Sequence, residues 1–399
     1  MKILEKFSIL AGEMFVEAAE ELRRSPACSP GVTRTADAGS NSIPLSPSGK
    51  LQELPVYRAA LPNGARFSML KTMLTSVCER NCNYCSFRSG RDFHRVSFKP
   101  DELADAFIKM YQAGIVEGLF LSSGIAGGST FTQDRLIATA EILRYKHGFT
   151  GYLHLKIMPG ADFDQILRSM QLADRVSVNL EAPTPDRLAC LAPQKRLQED
   201  LLQPLRWVDH IRREIPASRG WMGRWPSSCT QFVVGAAGET DRELLTTSQY
   251  LMNTARLLRA YFSTFNPIPG TPLEGRPRAD PWRAHRLYQA FFLLRDYGFT
   301  AQELPYDPAG TLPRTLDPKS AWAQAQLMEA PIELNHAEMI QLLRIPGIGP
   351  VAARAILAAR KQRPLRRLED LRALGIRAER AAPYILLSGQ RPVLQPKLF

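Results

Sequence analysis

The sequence predicts an α/β protein, a partial (β/α)6 TIM-like barrel followed by a small all-α C-terminal domain. Three observations predict it. From about Arg66, short apolar runs alternate with longer helical segments; a cysteine-rich loop directly follows the first of those runs; and a Pro-rich stretch over 304–318 precedes a basic helical tail. Strands alternating with helices imply right-handed crossovers and a parallel sheet.

Taken in order, residues 2–24 read as an amphipathic helix, with Ile3, Phe7, Leu10, Met14, Ala18 and Leu22 near helical spacing. Residues 25–50 are rich in Ser, Pro, Gly and Thr and read as a mobile loop. Strands are expected over 68–77, 118–122, 152–157, 175–180, 230–234 and 260–265. Helices are expected between them, over 100–113, 133–146, 161–170, 197–214 and 241–258. Six such units give a partial barrel, since no strand signal follows Phe265. A helix over 280–297, with Trp282, Leu287, Phe291 and Leu294, is expected to pack on the outside or end of the barrel. The expected organisation is an N-terminal segment over 1–65, the barrel over 66–300, a linker over 301–330 and the C-terminal domain over 331–399.

Hydrophobic content of 45% and charged content of 23% are ordinary for a soluble domain. The 6 cysteines are too few and too unevenly spaced for a secreted disulfide scaffold. Glu5, Glu13, Glu17, Glu20 and Glu21 interrupt the N-terminal apolar residues, unlike a signal peptide. No run approaches the ~20 apolar residues of a membrane span. These features predict a cytoplasmic protein. The net charge of +12 is concentrated at one end: residues 331–399 hold twelve Lys or Arg against five Asp or Glu, a net of +7. Such a segment suggests a polyanionic partner, the plainer alternative being a solvated surface.

The most informative local feature is Cys78-Glu79-Arg80-Asn81-Cys82-Asn83-Tyr84-Cys85, a C-x3-C-x2-C spacing with an aromatic residue before the last cysteine. Three thiolates on one loop can hold three irons of a 4Fe–4S cluster and leave the fourth iron open, whereas an electron-transfer ferredoxin site uses four cysteines. A zinc knuckle would need a fourth ligand close by, and the nearest, His94, lies nine residues beyond Cys85. Cys28, Cys190 and Cys229 stand singly without ligand-like spacing. A second cluster and a hydrogen-donating Cys28 are therefore the weaker readings of them.

The cysteine spacing resembles that of radical S-adenosylmethionine (radical SAM) enzymes. The resemblance implies a radical SAM barrel in which SAM binds the open iron and is cleaved by one electron to a 5′-deoxyadenosyl radical. A donor such as flavodoxin or ferredoxin would supply that electron. SAM contacts are then expected at strand carboxyl ends, where barrels place their chemistry. Tyr84 would meet adenine through its backbone and ring. Ser122, Ser123 and Gly124 would let polar groups approach the methionyl moiety, although the acidic residue that many relatives carry here is missing. Lys156 would lie near the carboxylate. Asn179 and Glu181, two apart on a strand, would point inward together toward the ribose. Gln231 would face SAM or substrate. Each of these also has a plainer reading as a satisfied polar residue.

In the C-terminal segment, Leu342-Leu343-Arg344-Ile345-Pro346-Gly347-Ile348-Gly349 followed by Ala352, Ala353, Ile356 and Leu357 looks like a helix-hairpin-helix DNA-binding module. Gly347 and Gly349 would expose backbone amides to a phosphate and Ile348 would lock the helices. Arg344, Arg354, Arg360, Lys361 and Arg363 would touch flanking phosphates, which positions a protein without reading sequence. Leu368–Arg377 suggests a second, degenerate copy lacking the second glycine. Trp221-Met222-Gly223-Arg224-Trp225 reads either as a further aromatic–basic contact or as a lid over the barrel mouth.

A radical SAM barrel with such a tail resembles the DNA modification and repair radical SAM proteins. The resemblance spans nearly the whole chain and is carried best by Gly118–Gly124, His154-Leu155-Lys156 and Leu342–Gly349. It implies an enzyme acting on DNA, with a uracil-DNA-glycosylase-like protein as a partner and no membrane. The alternatives are a DNA-binding protein whose cluster is structural or redox-sensing, and a radical SAM enzyme modifying RNA.

Overall fold

The computed structural model describes residues 3–13, 55–60 and 66–392. The helical turns expected after Glu13, the 25–50 stretch and Cys28 lie outside the described residues. Contacts divide the chain into two compact units, one comprising Met1–Glu239 with Tyr250–Pro281, the other Thr240–Gln249 with Trp282–Phe399.

The elements of the first part of the chain are α1 (Ile3–Glu13), β1 (Val56–Ala60), β2 (Arg66–Met73), α2 (Pro100–Gln112), β3 (Gly118–Ser122), α3 (Ser129–Glu141), β4 (Tyr152–Lys156), α4 (Phe163–Leu172), β5 (Arg175–Ser177), α5 (Pro185–Leu191), α6 (Gln203–Glu214), β6 (Ser227–Val234), α7 (Asp241–Ala255) and β7 (Arg259–Thr264). The strands form one curled seven-stranded sheet in the order β1 to β7, a TIM-like half-barrel. All neighbours from β2 onward pair in parallel, while β1 pairs antiparallel with β2. The six expected strands are present, and the added edge strand β1 is the one that sequence reading lacked.

Alternation along each strand explains the core. Leu70, Leu119, Leu121, Leu153, Leu155, Val176 and Phe232 are buried and point away from the sheet's concave face, toward the helices. The alternate positions Lys71, Phe120, His154, Lys156, Ser177, Cys229, Gln231 and Tyr261 line a recess on the concave face. Helix starts are fixed locally. Asp162 caps α4 by accepting a bond from the Gln165 amide at 3.0 Å, and Thr184 caps α5, whose first residue is Pro185.

Trp221–Trp225 precede β6 and therefore sit at the amino ends of the strands, opposite the cysteine loop. The lid reading is thereby corrected. Arg144 stacks on Trp221 at 4.0 Å and pairs with Asp174 at 3.0 Å; Asp174 also accepts from Arg224 at 2.8 Å and from the Leu153 amide at 3.0 Å. The aromatic–basic run is a structural clamp that ties β4, β5 and β6 together.

The remaining elements are α8 (Pro281–Asp296), α9 (Pro318–Leu327), β8 (Ile332–Glu333), α10 (Met339–Arg344), α11 (Pro350–Ala359), α12 (Leu368–Ala373), α13 (Ala378–Ala381) and β9 (Ile385–Leu386). Leu334, Leu342, Ile345, Ile348, Ala353, Ile356, Leu371 and Ile385 form a separate core, to which α9 adds Ala323 and Leu327. Strands β8 and β9 close it as a short parallel pair. Among the described residues no helix is long and apolar enough to cross a membrane.

Candidate functional site

The cysteine loop leaves the carboxyl end of β2 and is fastened on every side. The Leu74 amide donates to the Ser122 carbonyl, Gly124 to the Thr75 carbonyl and Glu79 to the Ile125 carbonyl, at 2.9, 2.7 and 2.7 Å. On the far side, the Asn83 amide donates to the Leu191 carbonyl at 2.7 Å and its side chain to the Cys190 carbonyl at 2.9 Å. Arg95 closes the loop from beneath, donating to the carbonyls of Ser76, Phe87, Arg88 and Arg91. Gly124 is indispensable here because a Cβ would lie 2.3 Å from the Val77 carbonyl oxygen and 3.2 Å from the Cys78 Cβ. Ser122, Ser123 and Gly124 thus form the shelf on which the loop rests, with the Ser123 hydroxyl donating to the Gly124 carbonyl at 2.7 Å.

Cys82 is buried, while Cys78 and Cys85 are partly exposed. Burial pushes the Cys82 thiol up, Lys195 opposing and Glu181 and Cys78 adding to the shift. Cys85 is likewise driven up by burial, then by Cys82 and Cys78, with Lys195 again opposing. Cys82 and Cys85 thus each feel the charge of the neighbouring thiols, opposed by Lys195 in both and also by Arg80 at Cys82. Among the described residues no three thiols, imidazoles or carboxylates converge on one point as a mononuclear metal site would require. The ligands of a 4Fe–4S cluster bind separate irons, and the three thiols of one fastened loop fit that donor set.

Glu181 departs from expectation. Strand β5 ends at Ser177, and Glu181 takes a left-handed backbone conformation (φ 66°) while bridging to Phe232 of β6. Simple alternation therefore fails between Asn179 and Glu181. Asn179 lines the recess with Lys156 and Gln231, whereas Glu181 turns toward the cysteine loop. There it pairs with Lys195 at 3.0 Å, both side chains nearly buried. Burial alone would lower the Lys195 ammonium, but Glu181 and Cys82 outweigh that and raise it. Burial and the Glu181 charge hold the Tyr84 phenol well above its usual range. The second oxygen of Glu181, Oε2, is also buried, and the Tyr84 phenol hydrogen-bonds this carboxylate. A buried carboxylate on a left-handed backbone beside the thiols fits an amine or hydroxyl donor of SAM.

Sequence reading missed Lys71, Arg95 and Lys195, and had His154 only as part of a motif match. Lys195 lies 110 residues after Cys85 on a loop without pattern, and Arg95 carries no local signal. Lys71 had one, a lone cation at an alternating position inside an apolar strand.

The C-terminal site residues divide into two groups. The Ile345–Gly349 turn holds Gly347 at φ +84° with Ile348 buried, and Gly349 immediately precedes α11. Arg354 and Lys361 are exposed. Arg344 is not available to flanking phosphates: it stacks on Phe299 at 3.9 Å, pairs with Glu303 at 3.0 Å and donates to the Gly298 carbonyl. Arg360 donates to the Leu334 and Ala337 carbonyls at 2.9 and 2.6 Å. Both guanidiniums are engaged by acceptors of their own unit, contrary to the expectation for them.

The family model described as the Radical SAM superfamily matches residues 72–251. No curated protein matches the chain. Among solved structures, methylornithine synthase (PylB) is similar at 14% identity and a TM-score of 0.46, over 57% of this chain and 61% of that one. The FeFe-hydrogenase maturase HydG from Carboxydothermus hydrogenoformans is similar at 15% identity and 0.44, over 57% and 51%. Coproporphyrinogen III oxidase (HemN) from Escherichia coli is similar at 12% identity and 0.37, over 57% and 52%. The chain thus spans between about half and three fifths of these proteins. Residues 72–251 are thus similar to the Radical SAM superfamily, whose members are enzymes that use a 4Fe–4S cluster and SAM.

Proposed function

We propose that the protein is a radical SAM enzyme that modifies or repairs nucleotides in DNA. The observation that carries the enzymatic half is the fastened loop that presents Cys78, Cys82 and Cys85 beside the carboxyl ends of the strands. When bound, the cluster and SAM supply a 5′-deoxyadenosyl radical that abstracts hydrogen from the substrate.

The chain's own residues hold and shield these groups. Cys78, Cys82 and Cys85 would ligate three irons, and Lys195 favours the thiolate form of Cys82 and Cys85. Glu181 Oε2 would accept from the SAM amine or a ribose hydroxyl. Asn179, just beyond β5, and Gln231 of β6 would reach SAM, and Tyr84 would back the adenine. An electron donor such as flavodoxin or ferredoxin would reduce the cluster.

The DNA half rests on the Ile345–Gly349 turn and its surroundings. This turn resembles the hairpin of a helix-hairpin-helix module, and Arg354, Lys361, Arg363, Arg366 and Arg367 around it are exposed. Helix α11 begins with Pro350, so the first amides it offers to a phosphate are those of Val351 and Ala352. A uracil-DNA-glycosylase-like protein would be a companion in such a pathway.

The test is anaerobic. After reconstitution with iron and sulfide, the reduced protein is expected to convert SAM to 5′-deoxyadenosine, and Cys82→Ala is expected to abolish this. A reconstituted cluster that leaves SAM intact, with or without DNA, would shift the reading to a DNA-binding protein with a structural or redox-sensing cluster. Tighter retention of structured RNA than of duplex DNA at matched salt would shift it to an RNA-modifying enzyme.

A further inference from the structure

A buried cation underlies the Ile345–Gly349 turn. Lys319 of α9 is 9% exposed, and its ammonium donates to the Ile348 carbonyl at 2.6 Å. The Tyr297 ring covers that ammonium, its centroid 4.6 Å away, and a Cβ at Gly349 would lie 3.3 Å from the Tyr297 hydroxyl. The turn also rests on α13, since a Cβ at Gly347 would meet the Arg380 Cβ at 3.1 Å and the Arg377 carbonyl at 3.2 Å. Arg380 in turn pairs with Asp317, the N-cap of α9, at 3.1 Å. The charged groups facing Lys319 are Asp317 at the start of its own helix, Arg380 of α13 and Arg344 of α10.

The carbonyl and the amide of one peptide unit point in opposite directions across a rigid plane. The Ile348 carbonyl shares its unit with the Gly349 amide. With the carbonyl drawn inward by Lys319, that amide is turned outward, and no backbone carbonyl among the described residues accepts from it. Gly347 is exposed and Gly349 partly so. A positive charge on the carbonyl oxygen also polarises the unit and makes its N–H a stronger donor. The ammonium destabilises the fold, because burial disfavours the charged form. What the charge supplies in exchange is an electropositive turn with an outward amide, and the ligand of such a turn is an anion.

We propose that Lys319 is a positioning residue for DNA: from inside the fold its ammonium fixes and polarises the Ile348–Gly349 peptide, whose outward N–H holds a backbone phosphate. The proposal rests on the reading of this turn as a DNA contact and deepens it. It also makes binding depend on pH. Burial, opposed by Asp317 and aided by Arg380 and Arg344, lowers the ammonium to about 7. A phosphate on the far side of the peptide favours the charged form, so DNA raises that value and binding takes up a proton. The contribution of Lys319 to affinity is therefore full below about 7 and is lost as pH climbs from there to the higher value of the complex. Fold stability moves the other way over the same range, because the unfolded chain holds this proton more tightly. A lysine with a purely structural role would move stability and affinity together.

The experiment measures the affinity of the full reconstituted chain for a labelled DNA duplex, in the wild type and in Lys319→Met, at one ionic strength. It spans about pH 6 to about pH 9, below and above the value of Lys319. Taking the ratio of the two affinities cancels the titrations common to both chains. That ratio, wild type over variant, is expected to fall by about fivefold from the acid to the alkaline end, while the wild type gains stability relative to Lys319→Met. Should Lys319→Met fail to fold, Lys319→Gln, a neutral donor to the same carbonyl, is measured in its place with the same criteria. A ratio independent of pH would overturn the positioning role and leave DNA binding intact. So would a ratio that rises with pH, the course that stability alone dictates. A wild-type chain that binds no duplex even at the acid end would instead remove the DNA reading, and the proposal with it.

Discussion

At the scale of single residues, Gly124 and Lys319 show how close packing and burial convert into measurable effects. A methyl at Gly124 would press on the Val77 carbonyl, a backbone atom that cannot rotate away. Gly124→Ala is expected to cost about 1–3 kcal/mol by overpacking. Because the atom it displaces begins the cysteine loop, iron content after reconstitution should fall with it. Denaturation together with iron and sulfide analysis checks both, and full iron retention would show that the shelf is dispensable. Lys319 is buried, donates to the Ile348 carbonyl at 2.6 Å and lies 4.6 Å from the Tyr297 ring. Burial lowers its ammonium to about 7, Asp317 opposing. The unfolded chain holds this proton up to the usual lysine range near 10.4. Between about 7 and that range the unfolded state therefore binds more protons, and stability rises with pH. Lys319→Met removes the titrating group. The wild type should gain stability relative to Lys319→Met from pH 7 to pH 9.5, read from denaturation midpoints at both values. A difference independent of pH would refute the burial account.

At the scale of elements, the barrel rests on clamps as much as on its apolar layers. Asp174 precedes β5 and receives Arg144, Arg224 and the Leu153 amide. Arg144 has no exposed side-chain surface and also donates to the Leu172, Phe149 and Gly151 carbonyls. Removing one partner of a buried pair leaves a charge that water cannot reach, a penalty of about 3–5 kcal/mol. Asp174→Ala should cost toward the lower end of that range, because the three carbonyls still satisfy part of Arg144. Chemical denaturation measures the loss, and a change below about 1 kcal/mol would mean that the clamp is a surface feature. The strands themselves were legible in the sequence, because each is a short apolar run between helix-length segments and crossovers leave few alternative topologies. Strand β1 was not, because Val56–Ala60 mixes Tyr57, Arg58 and alanines and is defined by pairing with β2. The cysteine triplet stands out in the sequence because three thiols at close spacing on one loop are a local pattern. Glu181 was legible as a polar residue at a strand end, but its turn toward the thiols depends on a left-handed backbone and on Lys195, a loop residue of no distinctive pattern. The arginines at 344 and 360 looked like phosphate contacts because composition records charge, not the carbonyls and rings that claim it.

At the scale of the whole molecule, charge distribution makes the sharpest demand. Residues 331–399 hold seven of the twelve net positive charges. With Arg344 and Arg360 committed internally, the charges left for a polyanion are those at exposed positions, among them Arg354, Lys361, Arg366 and Arg367. Phosphate contacts release counterions, so affinity for duplex DNA falls with salt at a logarithmic slope of about 0.9 per phosphate neutralised. If Arg354 and Lys361 each neutralise one phosphate, Arg354→Ala and Lys361→Ala should each reduce that slope by roughly 1, uniformly across sequences. Arg360→Ala behaves differently. It frees the Leu334 and Ala337 carbonyls, so it should lower thermal stability, and after allowance for the unfolded fraction the slope should stay unchanged. Fluorescence anisotropy on a labelled duplex from 50 to 300 mM salt (about the range in which such slopes are linear) separates these outcomes. A slope that falls equally in Arg360→Ala and Arg354→Ala would mean that the internal guanidinium also meets DNA. A slope near zero in the wild type would mean that the basic tail is a solvated surface, and it would leave the radical chemistry of the barrel in search of another substrate.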